Sequence, residues 1–317
     1  MKSFNKTSYD FIAKDMTFKD DGYHKTKKIF GEWWYFDAVF ENGYSVNAFI
    51  GLLSRGKLGI VLPILHLYKD KKRLFNKREL RCFNEFTASQ DKPHIVLSKK
   101  DFIKGYIDKK TGNAIYEICL EVGKQKIDLK FSGFMKPWMG KTPASKWGIM
   151  LPRAKVNGTL TINGQTIKVK GIGYHDHNWE FKISPSLKGW YWGRLGNNQL
   201  NLVWSKIIRS KYKDFLLAVF NESKTKYINI NPKKIDFEIT NYMYDQRKKI
   251  PKDFLLKIED KEIKLNVEMK TTGVYRHINF LFTKYWRYHV NVTGEISYKN
   301  YKEKIDAKEI IEYLKIS

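Results

Sequence analysis

The chain has almost no cysteine: Cys82 and Cys119 are the two in 317 residues. They are too few for the disulfide framework of a small secreted domain and fit no metal-ligand spacing, so a reducing compartment is expected. Long apolar runs are missing too. The longest, Leu58 to Leu67, is broken by Pro63 and is far too short to cross a bilayer as a helix. Met1 to Phe18 is polar and charged, without the apolar stretch of a secretory leader, and the expectation is a soluble, cytoplasmic protein. Helical periodicity is scarce. Only Ile305 to Leu314 offers it, and there Ile305, Ala307, Glu309, Ile311 and Tyr313 also alternate, which leaves that segment ambiguous. Acidic residues are few, 33 against 59 Lys and Arg, for a net charge of +26. Such a charge attracts nucleic acid and anionic membrane in general. Here the basic residues are spread along the whole chain with no basic helix or RNP-like aromatic motif, which describes a solvated surface. No nucleic-acid partner is expected, and peripheral contact with anionic lipid ranks behind the two small-ligand readings below.

What the chain does have is aromatic residues, 15% of the total in a sequence only 42% hydrophobic, a balance that suits strands with one wet face. Period-two alternation recurs in 44–50, 114–122, 126–131, 159–162 and 166–169. Between such runs lie Glu41-Asn42-Gly43, Val122-Gly123-Lys124, Asn157-Gly158 and Asn163-Gly164, all hairpin chemistry, because Asn and Gly accept positive φ. An all-β protein follows. Its length suits two domains of about 150 residues, and an internal repeat supports them. Trp33-Trp34-Tyr35 and Trp190-Tyr191-Trp192 lie 157 positions apart; each is followed by a Gly/Asn turn (Asn42-Gly43; Gly196-Asn197-Asn198) and an alternating apolar strand. The expectation is two tandem antiparallel lipocalin-like (calycin) barrels, residues 1–186 and 187–317. Trp33 and Trp190 would plug the closed ends, and a barrel would enclose one small ligand.

Polar groups concentrate in Gly173-Tyr174-His175-Asp176-His177-Asn178-Trp179. On an extended strand His175, His177 and Trp179 share one face, while Tyr174, Asp176, Asn178 and Glu180 share the other. Inside an apolar barrel such groups acquire shifted pKa values suited to acid–base work. The alternative is that they satisfy buried backbone at a domain junction. His-x-His also fits Zn²⁺ or Fe²⁺, but neither His66, His277 nor His289 sits in a motif that supplies a third ligand, so no metal or other cofactor is expected. In the first aromatic cluster Trp33, Tyr35 and Asp37 share a face, as do Glu32, Trp34 and Phe36. An acid beside indole rings can protonate an alkene and shelter the cation; against that, large aromatics at a strand start usually just pack.

Three segments, Glu32-Trp-Trp-Tyr-Phe-Asp37, Trp147 with Pro152 to Gly158, and Gly171-x-Gly-Tyr-His-Asp-His-Asn-Trp179, resemble the signature of the carotenoid 1,2-hydratase (hydroxyneurosporene synthase) and AttH-like family over roughly residues 30 to 195. The resemblance implies two lipocalin-like barrels and a hydrophobic terpenoid or polyketide-like ligand. It points to Trp33, Asp37, Tyr174, His175, Asp176, His177, Asn178 and Trp179. One departure stands out: Glu180 replaces the Gly that commonly follows the motif Trp. The leading expectation is a cofactor-free hydro-lyase in which Asp176 or Asp37 protonates an alkene, with isomerisation or cyclisation of the double bond as other outcomes of the same acid step. Trp33, Tyr35, Tyr174, Asn178, Trp179 and Trp190 would bind the ligand, with water held by His175 or His177. The alternative is a non-catalytic lipid or terpenoid carrier.

Overall fold

The computed structural model describes residues 11–316 except 27, 57, 198 and 278–282. The first ten residues of the polar N-terminus and Asn198 of the second turn lie outside the described residues. The described chain is antiparallel sheet, its only helical turns the 3₁₀ segments Phe83–Glu85 and Pro232–Lys234. The ambiguous C-terminal stretch is part of the strand Tyr301–Ile316: its alternation, not its helical spacing, meets a partner in Thr283–Tyr298. No helix among the described residues is long and apolar enough to cross a membrane.

Two curled half-barrel sheets are present. The last strand of the first is Gln165–Phe181, and the second begins at Leu187. Each is an up-and-down meander closed by pairing its opening long strand with its last. Phe30–Phe40 lies between Tyr44–Arg55 and Gln165–Phe181, and Leu187–Gly196 lies between Asn201–Arg209 and Tyr301–Ile316. The repeat read in the sequence therefore extends to topology.

Turn chemistry succeeded at Asn163-Gly164, where φ of 51° and 85° join Ile162 to Gln165 in a two-residue hairpin. It misled at Asn157-Gly158, which lies inside the strand Lys146–Ile162. Gly158 is needed there for a different reason: a Cβ would stand 2.0 Å from the Asp128 carbonyl oxygen. Glu180, the departure noted above, adopts φ 54° at a register shift between Asn178 and Phe181. It accepts a left-handed conformation that glycine takes without strain.

The barrel plugs are one residue later than expected. Trp34 is fully buried in the first core and Tyr191 lies in the second, whereas Trp33 and Trp190 are half-buried between the barrels. Alternation explains the correction, since the face holding Trp33, Tyr35 and Asp37 turns away from its own barrel and toward the other. A third apolar cluster lies along that seam, with Tyr35, Trp147, Tyr174, Trp192 and Val203 at its centre.

Candidate functional site between and within the barrels

The motif strand Gln165–Phe181 alternates with solvent at its start but is buried on both faces from Gly173 to Trp179. One face looks into the first barrel and the other is covered by the second. Its glycines permit the close approach: a Cβ on Gly173 would lie 2.6 Å from the Asp37 carbonyl oxygen and 2.6 Å from the Phe131 ring. Opposite, the strand Lys146–Ile162 shifts register around Leu151, beside Pro152. Such irregularities re-aim side chains next to sites.

Toward the barrel interior, His175 stacks on Phe36 with ring centres 3.9 Å apart, and His177 stacks on Trp34 at 4.4 Å. Both histidines turn to Asp21, a residue of the 18–22 turn that no sequence motif marked. His175 Nε2 lies 3.0 Å from Asp21 Oδ2 and its Nδ1 2.9 Å from the Tyr35 carbonyl; His177 Nδ1 lies 3.3 Å from Asp21 Oδ1 and its Nε2 3.0 Å from Glu32 Oε1. The Tyr116 hydroxyl donates to Asp21 as well. Burial opposes ionisation of Asp21, but His175 and His177 outweigh it and hold the carboxyl well below its ordinary range. Burial likewise pushes His177 down, yet bonding to Asp21 and Glu32 lifts it to about 9.

Toward the second barrel the row is different. Cross-strand pairing sets Asn178 opposite Trp33, Asp176 opposite Tyr35 and Tyr174 opposite Asp37. The Tyr174 hydroxyl donates to Asp176 Oδ2 at 2.8 Å, and Asn178 Nδ2 donates to Asp176 Oδ1 at 3.2 Å. Burial dominates at Asp176 and, with Glu312 and Asp37 nearby, pushes its carboxyl up to about 7 despite the Tyr174 and Trp147 bonds. Asp37, entirely buried, meets Arg194 of the second barrel at 2.7 Å and Arg287 at 3.7 Å. Tyr35 Oη lies 2.8 Å from Glu312 Oε1 and accepts from Arg287 Nη1 at 2.7 Å. Along the same seam Asn47 Nδ2, Arg287 Nε and both ring nitrogens of His289 find no hydrogen-bond partner. Buried donors left unpaired are costly unless something else meets them.

The expected site residues thus divide. Asp37, Asp176, Tyr35, Tyr174 and Asn178 converge between the barrels, with Trp33 and Trp190 at the edge of that seam, linked through Phe181. His175, His177 and Trp179 lie on the other side of the same strand. The expected pairing of an Asp176 acid with histidine-held water is therefore not brought together, because neighbouring residues of a strand cannot share a face. Both barrel interiors are packed with side chains, and two clefts of about 420 and 360 Å³ lie elsewhere, on 255–294 and around Phe18 and His94. Sequence reasoning missed Asp21, His24, Tyr116, Arg287 and Glu312. It also missed Arg194, although the 157-residue repeat aligns that residue with Asp37.

The AttH-like family profile matches residues 139–303, more than half of the chain and including the whole motif strand. The chain belongs to the AttH-like family. Among solved structures, this AttH-like chain superposes on the AttH protein of Nitrosomonas europaea with a TM-score of 0.68 at 13% identity, covering 95% of this chain and 97% of that one. Kievitone hydratase from Nectria haematococca gives 0.55 at 11% identity over 92% and 91%, and CghA gives 0.57 at 10% over 91% and 89%. These likenesses establish the two-domain lipocalin-like fold. By sequence, the quinolone epoxide rearrangement protein penF of Penicillium thymicola is 33% identical over 73 residues, 23% of this chain and 20% of penF. The similar asqO protein of Emericella nidulans is 34% identical over the same shares. The matched segment therefore spans about a fifth of these curated relatives.

Proposed function

We propose that this AttH-like protein binds a hydrophobic small molecule of isoprenoid or polyketide-like character between its barrels and protonates it from Asp176. The observation that carries this reading is the Asp176 carboxyl, enclosed on an aromatic face and pushed up to about 7, so that an acid proton is at hand near neutral pH. Tyr174 and Asn178 each hold one of its oxygens, which fixes its direction. The rings of Tyr174, Trp147 and Trp192 line the same seam and supply faces for positive charge. The unpaired donors of Asn47, Arg287 and His289 suit the polar end of a ligand. In hydration, Asp176 gives its proton to one alkene carbon, water adds to the neighbouring cationic carbon, and the proton that water sheds restores Asp176. Relatives named for hydration and for epoxide rearrangement support an acid-initiated step of this class.

The test is incubation of the full chain with acyclic isoprenoid alkenes and prenylated phenols in ¹⁸O-labelled water, beside Asp176→Asn. The expected result is label in the product, reduced at least ~100-fold in the variant while ligand binding persists. Equal labelling by the variant would remove Asp176 from the chemistry. A co-purifying lipid that is returned unchanged and unlabelled would make the protein a carrier.

A further inference from the structure

Outside the seam, one cluster has the makings of a different site. We propose that His24, Glu32 and His177 form a binding site for a divalent cation of the zinc type, on the opposite side of the motif strand from Asp176. One ligand atom from each of the three residues lies within 4.8 Å of the others, the only such group among the described residues. Glu32 Oε1 is 3.0 Å from His177 Nε2 and 3.4 Å from His24 Nδ1. Tetrahedral zinc with bonds of 2.0–2.1 Å places its ligand atoms about 3.3 Å apart, so only small shifts are needed to close the three around an ion.

The surroundings are those of a supported metal ligand. The other ring nitrogen of His177, Nδ1, faces Asp21 Oδ1 at 3.3 Å, and neither atom has another hydrogen-bond partner. That is the carboxylate–histidine arrangement which orients an imidazole and leaves its far nitrogen for a cation. Asp21 is itself fixed by Tyr116 and His175. His24 lies flat on Trp179, ring centres 4.4 Å apart and planes 7° from parallel. Its side chain is 31% exposed, while Glu32 and His177 are enclosed, which gives the cation an approach from solvent and a fourth position for water. Two carboxylates, Glu32 and Asp21, balance a dication without further groups. The His-x-His spacing alone could not reveal this, because His175 turns to the far oxygen of Asp21 and the completing ligands come from 145 and more residues upstream of His177.

Equilibrium dialysis of the tag-free, chelator-stripped full chain against Zn²⁺ and Co²⁺ tests the site. The expected result is one ion per chain and the intense d–d absorption of tetrahedral Co²⁺. His24→Ala, at a half-exposed position that leaves the core intact, is expected to weaken binding at least ~10-fold and bleach that band. Asp21→Asn should weaken it ~10- to 100-fold with the stoichiometry kept. Absence of saturable binding by the wild type, or unchanged affinity in both His24→Ala and Glu32→Gln, overturns the assignment.

Discussion

Asp176→Asn isolates the energy stored at the seam. The carboxyl ionises at 3.8 in its ordinary state and near 7 when folded, chiefly because burial strips its solvent. That difference corresponds to about 4 kcal/mol of resistance to ionisation. Between these two values the folded protein keeps the proton and the unfolded chain has lost it. Stability contributed by this residue is therefore full below about pH 4, falls as pH rises, and is spent above about pH 7. Asparagine cannot ionise and has no such slope. The Asn variant should be slightly less stable than wild type near pH 4.5, where its Nδ2 faces the Asn178 amide. It should gain on wild type by up to about 4 kcal/mol by about pH 8, less whatever water penetration relieves. Urea denaturation followed by tryptophan fluorescence across that range measures the difference. A gap constant to within about 0.5 kcal/mol would mean that Asp176 is ionised throughout, and both this reasoning and its role as an acid would be wrong.

Two further outcomes follow from named contacts. Arg194→Met leaves Asp37 buried with the Tyr35 hydroxyl and the more distant Arg287 and should cost about 3–5 kcal/mol, whereas Arg194→Met with Asp37→Leu should cost clearly less than the single change. A double-mutant cycle by urea melts with coupling below about 0.5 kcal/mol would show the pair to be incidental. Glu180→Gly relieves a left-handed residue and gives up only an exposed contact with Lys146, so a gain of about 0.5–1 kcal/mol in thermal unfolding is expected. A loss would place the ion pair above the backbone strain.

Strand content and the repeat were legible because alternation and Asn-Gly turns are local signals, and Asn163-Gly164 carries both. The faces of the motif strand were legible for the same reason. What each face looks at was not. Trp33 and Trp34 are equally large and apolar, and only packing against a second barrel decides that Trp34 enters the core while Trp33 lines the seam. Asp21 sits in a turn and His24 in the irregular segment after it, neither with any periodicity, and their meaning arises only when Phe30–Phe40 and Gln165–Phe181 pair beside them. Gly158 resembled a turn because glycine serves both a bend and a close approach, and the sequence around it does not separate the two.

The repeat also explains why the two sides of the seam carry different charges. Tyr35 and Trp192 are equivalent positions and their rings meet at 5.6 Å; Asp37 and Arg194 are equivalent and form an ion pair. Contacts between equivalent positions place the halves about an approximate two-fold axis, where identical copies would set like against like. Two facing aromatics tolerate that, but two buried carboxylates do not, and here the second position is arginine. Strand pairing extends the comparison: His175 and His177, opposite Phe36 and Trp34, correspond to Ile311 and Tyr313, opposite Gly193 and Tyr191. The second barrel has an apolar and phenolic interior where the first has imidazoles held by Asp21 and Glu32. Asp176 corresponds to Glu312, opposite Trp192, also a carboxyl that burial pushes up. Glu312, however, is engaged by Arg287, Tyr35 and Tyr285. Asp176 is held by the neutral side chains of Tyr174 and Asn178, so the two equivalent acids differ in whether a cation meets them.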